Sequence, residues 1–167
     1  FNARNLAMAT LASVLSQQIC QTDDPFDISS QNPFSGVSMP DFSDCAGVKR
    51  RQEILHDSEE IVVLSDFAHH PTAIAGALES LRARWPGREI IACFEPRSNT
   101  AVTNVFEDRF ADALALADVA ILGAVHRAEK IPPDQRINTG NMIRRIEGQG
   151  KQGHAFLTNL DLESFLL

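Results

Sequence analysis

The sequence predicts an α/β chain: a doubly wound, mainly parallel sheet with helices on both faces, preceded by one helix from an adjoining domain. Three observations carry this reading. Short apolar runs of strand length alternate with longer segments of helical period. The runs are near-continuous rather than alternating in polarity, as in strands covered on both faces. The strand–helix spacing suits right-handed crossover connections.

The totals set bounds. With 167 residues and 44% hydrophobic content, the chain can bury one sizeable core and is short for two. Its 15 Lys and Arg face 22 Asp and Glu, a formal net charge of −7. Without a basic stripe, nucleic acid is not an expected partner. An anionic ligand must then be held by a few placed cations, backbone amides or helix N-termini. Cys20, Cys45 and Cys93 are odd in number, far apart and free of any CxxC, which fits a reducing compartment and neither a disulfide frame nor a thiolate zinc site. No run approaches the ~20 apolar residues of a membrane span, and no charged-then-apolar leader is present. The expected setting is the cytoplasm, with no membrane partner. The sequence opens at Phe1 inside a helical pattern and closes at Leu167 on an apolar helical turn, as a piece of a longer chain would.

Ala3 to Gln18 place Leu6, Ala9, Leu11, Ala12 and Leu15 on one helical face. Cys20 to Asp44, with Pro25, Pro33, Gly36 and Pro40 among many Ser, Asp and Asn, is a linker or insertion expected to be disordered. These bounds give a helical segment over 1–19, a linker over 20–46 and a strand–helix domain over 47–167.

In that domain Glu53–Leu55 and Ile61–Leu64 are short apolar runs around a polar turn. Pro71–Arg84 is a helix: Pro suits the first turn, Ile74, Leu78 and Leu81 follow at helical spacing, and Trp85-Pro86-Gly87 stops it. Glu89–Phe94 is a strand buried on both faces, Thr103–Ala117 a helix and Val119–Leu122 a second buried strand. Asn138–Glu147 is a helix, His154–Leu157 a strand, and Leu160 onward a last helix. Ligands of such sheets bind outside the C-terminal strand ends, where two polar segments stand out: Asp66-Phe67-Ala68-His69-His70-Pro71 and Glu95-Pro96-Arg97-Ser98-Asn99-Thr100.

Each segment admits several chemistries. Asp66 can accept hydrogen bonds from ribose hydroxyls, and an imidazole at a helix start can donate to phosphate or carboxylate. Asp66, His69 and His70 as metal ligands is a second option, weakened because adjacent side chains diverge. A plain helix cap with exposed histidines is a third, of about equal weight to the functional readings together. Arg97, Ser98, Asn99 and Thr100 can form a cradle for an anionic substrate, with Arg97 as the forked donor; turn and cap chemistry explains the same residues equally well. Gly148 to Gly153 lacks phosphate-loop spacing, and Gln152 stands where a magnesium-binding hydroxyl is needed, so it is a flexible turn. His56, His126 and His154 are ordinary structural residues.

Taken together, the segments resemble the Mur ligase family. Gly47 to Glu53 (GVKRRQE) is similar to the family's G-x-x-x-R-x-E entry into its C-terminal domain, and Asp66 to Pro71 to its D-[YF]-A-H-H-P motif. Glu95 to Thr100 stands where ligases adding L-alanine to UDP-N-acetylmuramate usually carry an F-x-P-H-R loop. The combination resembles the branch of murein peptide ligases, strongly over 47–100 and only in topology after that. Asn2 and Asn5 resemble the N-x-x-N of the helix closing the central ATPase domain, with Phe1 where the family usually has His.

The resemblance implies an ATP- and Mg2+-dependent amide ligase acting through an acyl phosphate of the muramoyl carboxylate. Its substrates are UDP-N-acetylmuramate and the tripeptide L-alanyl-γ-D-glutamyl-meso-diaminopimelate. It implies that Asn2, Asn5, Arg51 and Asp66 face ATP and that His69 acts catalytically at the ATP–substrate junction. His70, Arg97, Ser98, Asn99 and Thr100 then shape the peptide pocket. Ser65 stands where relatives often carry a second Asp. The phosphate loop and magnesium ligands belong to the family's central domain, upstream of Phe1, and a last strand with a Gly-rich loop follows Leu167. No metal ligand is therefore expected within this chain, its partners include its own central and N-terminal domains, and the 167 residues alone are expected to be inactive. Bacterial cytoplasm is the implied location.

Overall fold

The computed structural model describes residues 49–167, so the readings of Asn2, Asn5, Gly47 and the 20–46 linker lie outside the described residues. The chain divides into two compact units that meet in sequence between Ser65 and Asp66.

The described part of the first unit is a hairpin. Strand β1 (Glu53–Asp57) pairs antiparallel with β2 (Val62–Ser65). The connection is closed by Ser58, whose Oγ donates to the Ile61 carbonyl and accepts the Ile61 amide at 3.0 and 3.1 Å. The pairing shifts register between Ile54 and His56, leaving an irregularity at Leu55. The two short apolar runs around a polar turn are the arms of this hairpin. The connection is far too short for a parallel pairing, since a parallel crossover takes a dozen residues or more.

In the second unit, helix α1 (Pro71–Arg84) starts at Pro71, whose missing amide is no loss at that position. The extended His70 gives its carbonyl to the Ala73 and Ile74 amides, at 2.9 and 3.0 Å. Ile74 and Leu78 are the buried face. The chain turns at Gly87, whose φ of 83° suits a residue without Cβ.

Strands β3 (Ile91–Phe94), β4 (Val119–Leu122) and β5 (Gln152–Ala155) form a parallel sheet in the order β3-β4-β5. Helix α2 (Glu107–Leu114) connects the first pair and α3 (Thr139–Glu147) the second; α4 (Asn159–Leu166) follows β5. Every residue of the central strand β4 is buried. One sheet face packs Ala120 and Leu122 with Phe110, Leu114, Met142 and Ile146 from α2 and α3, and with Ile74 and Leu78 of α1. Gly153 lets α3 come close, because a Cβ there would stand 3.0 Å from Ile143. On the opposite face, where Ile121 and His154 are in register, Phe165 of α4 stacks on His154 and Phe156 at 4.8 and 5.1 Å. The expected α/β parallel architecture with helices on both faces is the one found.

Three boundaries differ. β3 begins at Ile91 rather than Glu89 and is covered on one face only, with Ile91 and Cys93 exposed, because it lies at the edge of the three-stranded sheet. The helix predicted over Thr103–Ala117 is a 3-10 turn at Asn104–Phe106, then α2, then a tightened end. Thr103 and Asn104 are diverted to bridge Arg136 and the Gln135 carbonyl. β5 lies two residues earlier than expected; Gln152 and Gly153 obscure a strand whose position follows from pairing with β4.

Asp118, just before β4, ties the sheet's N-terminal edge together. Its carboxylate accepts from Arg82 at 2.6 Å, the Ile90 amide at 2.9 Å and Lys151 at 3.0 Å. The Arg82 hydrogen bond, then that from Ile90, hold its carboxyl well below the usual carboxylate range, against a smaller opposing effect of burial. A depressed folded pKa gives stability that is full above the unfolded value of ~3.9 and is lost as pH falls below it toward the folded pKa. Asp118→Asn is therefore expected to lower stability at neutral pH by on the order of 1 kcal/mol per charged hydrogen bond lost. It should also flatten the decline below about pH 4. Urea midpoints at pH 7 and pH 3 measure both; equal losses at the two pH values would contradict the assignment.

Candidate functional site

Of the two polar segments flagged in the sequence, Glu95–Thr100 follows β3 at the C-terminal edge of the parallel sheet, whereas Asp66–Pro71 follows β2 of the antiparallel hairpin and not a strand of that sheet. Asp66 directly follows β2, and its Oδ1 accepts the Ala68 amide at 2.7 Å, a local turn that orders the start of the loop. His69 has Nδ1 at 2.9 Å from the Phe67 carbonyl. A carbonyl only accepts, so Nδ1 is the donor in this contact. The Phe67 ring packs edge-on against this imidazole at 4.9 Å. His70 is turned away from its helix start: no side-chain cap is made, and its ring meets Phe106 at 5.4 Å.

The second loop is anchored below and polar above. Pro96 and Ala101 are fully buried, whereas Arg97 and Asn99 are exposed. Backbone bonds zip it to the end of β4: Phe94 accepts from Gly123 and Pro96 from His126, both at 2.9 Å. Ser98 Oγ accepts the Ala101 amide at 3.1 Å and donates to the His69 carbonyl at 3.4 Å, which brings the two segments together. Thr100 gives its carbonyl to Thr103 Oγ1. Arg97 carries its guanidinium 3.5 Å from the Glu95 carboxylate, with 64% of its side chain exposed. Ser98 does turn chemistry, while Arg97 stays presented to solvent.

Arg51 belongs to the other unit. It sits between two non-glycine residues in the left-handed region, Arg50 at φ 57° and Gln52 at φ 51°, and Arg50 is held by its amide on Glu53 Oε2 at 2.9 Å. Non-glycine residues in this region are uncommon, so two of them flanking Arg51 mark an unusual stretch of backbone.

An open cleft of about 440 Å³ is found elsewhere. It lies between the starts of α2 and α3 and is lined by Asn104, Phe106, Glu107, Arg109, Arg136 and Asn141. Glu107 is occupied there as a cap, accepting the Asn138 amide at 2.7 Å and Asn141 at 3.1 Å. No motif flagged this cleft, because its residues come from separate crossovers. Asn159 was also missed. Its Oδ1 accepts the Ala124 amide at 3.2 Å and its Nδ2 lies 3.4 Å from Glu95 Oε1.

With that geometry in view, comparison with known proteins is decisive at the level of family. Residues 50–160 match the model of the Mur ligase glutamate ligase domain. The chain belongs to the Mur ligase family. Similar curated proteins include the UDP-N-acetylmuramate–L-alanine ligase of Magnetococcus marinus, 32% identical over 102 residues, covering 61% of this chain and 21% of that protein. The same enzyme of Streptococcus suis is 33% identical over 106 residues, covering 62% and 23%. Among solved structures, a murein peptide ligase from Psychrobacter arcticus aligns with a TM-score of 0.54 at 27% identity, over 72% of this chain and 24% of that one. This Mur ligase chain thus spans about a fifth to a quarter of the length of the relatives it matches. No helix among its described residues is long and apolar enough to cross a membrane.

Proposed function

We propose that this chain is the C-terminal part of an ATP-dependent ligase joining UDP-N-acetylmuramate to the tripeptide L-alanyl-γ-D-glutamyl-meso-diaminopimelate. The supporting observation is the Glu95–Thr100 loop, with a forked cation presented to solvent above a buried anchor. A peptide with several carboxylates is the kind of acceptor such a fork recognises. ATP would supply the phosphoryl group that activates the muramoyl carboxylate. The part of this chain is positioning: Arg97 is assigned to orient the peptide, and His69, oriented by its Nδ1 contact with the Phe67 carbonyl, is assigned to take a proton from the incoming ammonium through Nε2. Arg51 and Asp66 are assigned to the nucleotide. The described residues gather no group of three His, Cys, Asp or Glu able to hold a metal, and no Mg2+ ligand is assigned to them.

The other reading is a UDP-N-acetylmuramate–L-alanine ligase, favoured by the names of the similar curated proteins. The full-length parent decides. With ATP, Mg2+ and UDP-N-acetylmuramate, ADP release is expected on adding the tripeptide and not on adding free L-alanine; the reverse pattern would move the protein to the alanine branch. The 167-residue chain alone is expected to release no ADP.

A further inference from the structure

We infer that Asn159 is a positioning residue for the acceptor site, setting Arg97 through Glu95; this rests on the reading of Arg97 given under Proposed function. Neither the ligand-binding strand ends nor any motif in the sequence singles this residue out. Asn159 opens α4, immediately after the Thr158 cap, and reaches back over the C-terminal edge of the sheet. Its two amide atoms are used differently. Oδ1 accepts from the Ala124 amide beyond the end of β4, at 3.2 Å, while Nδ2 points to Glu95 Oε1 beyond the end of β3, at 3.4 Å. The other Glu95 oxygen, Oε2, faces Arg97 Nη1 at 3.5 Å. One side chain therefore spans the ends of all three parallel strands and orients the carboxylate that sets the guanidinium.

The space for this bridge depends on Gly123. A Cβ there would stand 3.3 Å from Asn159 Oδ1, 3.6 Å from Glu95 Cβ and 3.6 Å from Leu162 Cδ1. The side chains meet over a bare stretch of backbone. Both contacts of Glu95 are long and partly exposed, so each is weak alone. Their function is to narrow the range of Arg97 orientations before the acceptor arrives, which lowers the ordering cost of binding.

The polarity of the amide is what matters, and this makes a clean test. Asn159→Asp keeps the shape and the acceptor for Ala124 but replaces the donor toward Glu95 with a second carboxylate oxygen. An acidic residue in the first turn of a helix is not penalised by the helix dipole, so the fold should be retained. In the full-length enzyme, Asn159→Asp is expected to raise acceptor KM three- to tenfold. The KM for UDP-N-acetylmuramate and the melting temperature should not change. In an Arg97→Ala background the same substitution should add nothing, because the group it acts through is gone.

Assays use whichever acceptor, tripeptide or L-alanine, the enzyme turns over. Unchanged acceptor KM in Asn159→Asp, or an equal rise with and without Arg97, overturns the positioning role while leaving Arg97 in the site. If Arg97→Ala itself leaves acceptor KM unchanged, both the reading of Arg97 and the role of Asn159 fall together.

Discussion

Arg97→Ala in the full-length ligase is expected to raise acceptor KM roughly 10- to 100-fold, the loss of one charge-assisted contact to a carboxylate. The KM for ATP should stay within about twofold, because the residue is assigned to the acceptor alone. The expectation has three parts. The loop is held rigidly from below by Pro96 and Ala101 and by the bonds to Gly123 and His126, so truncating Arg97 should not collapse it. Among the described residues its guanidinium has a single ion-pair partner, 3.5 Å away, and it is largely solvated, so leaving Glu95 behind buries no unpaired charge. What disappears is the forked donor. Arg97→Lys should recover only part of the loss, since a lysine carries the charge without the planar fork. Steady-state kinetics with varied acceptor measure this, and equal KM values for Arg97→Ala and the parent would remove the residue from the site.

Much of this was legible before any coordinates. Helix α1 begins at Pro71 and ends at Arg84 as its pattern indicates, because proline and the Trp85-Pro86-Gly87 stop are local signals that packing had no reason to override. β4 was equally plain: four apolar residues in a row describe the centre of a parallel sheet. Failures came where long-range pairing decides. β5 contains Gln152 and Gly153, neither a strand former, yet register with Val119 and Ala120 places them in the sheet. The two runs around the polar turn after Asp57 pair antiparallel, as so short a connection requires.

The candidate site divides in the same way. Contiguous residues such as Asp66 to His70 and Glu95 to Thr100 announced themselves by clustering at strand ends. Asn159 is 64 residues from the Glu95 it meets and carries no motif, so only the folded sheet brings them together. Arg136, in the cleft between α2 and α3, is another such case. Its Nε is buried without a hydrogen-bond partner among the described residues, while Nη2 donates to the Ile131 carbonyl at 3.1 Å.

The stability of the parallel unit should depend most heavily on Phe110. Its side chain is fully buried and stacks on Phe94 at 5.4 Å with the rings 25° apart, joining α2 to β3 in the centre of the core. Phe110→Ala removes a ring from a region that close packing keeps from refilling, at a cost of about 3–5 kcal/mol. That is a large share of the roughly 5–15 kcal/mol that holds a typical domain together. Val105, two residues before α2 begins and 72% exposed, supplies the contrast: Val105→Ala should stay within about 0.5 kcal/mol. Urea midpoints of the two variants measure the difference, and similar shifts would mean that the core is not centred on Phe110. The effect should also reach the site. Phe94 leads directly into Glu95 and Arg97, so a milder substitution, Phe110→Leu, is expected to raise acceptor KM at temperatures where the protein is still fully folded.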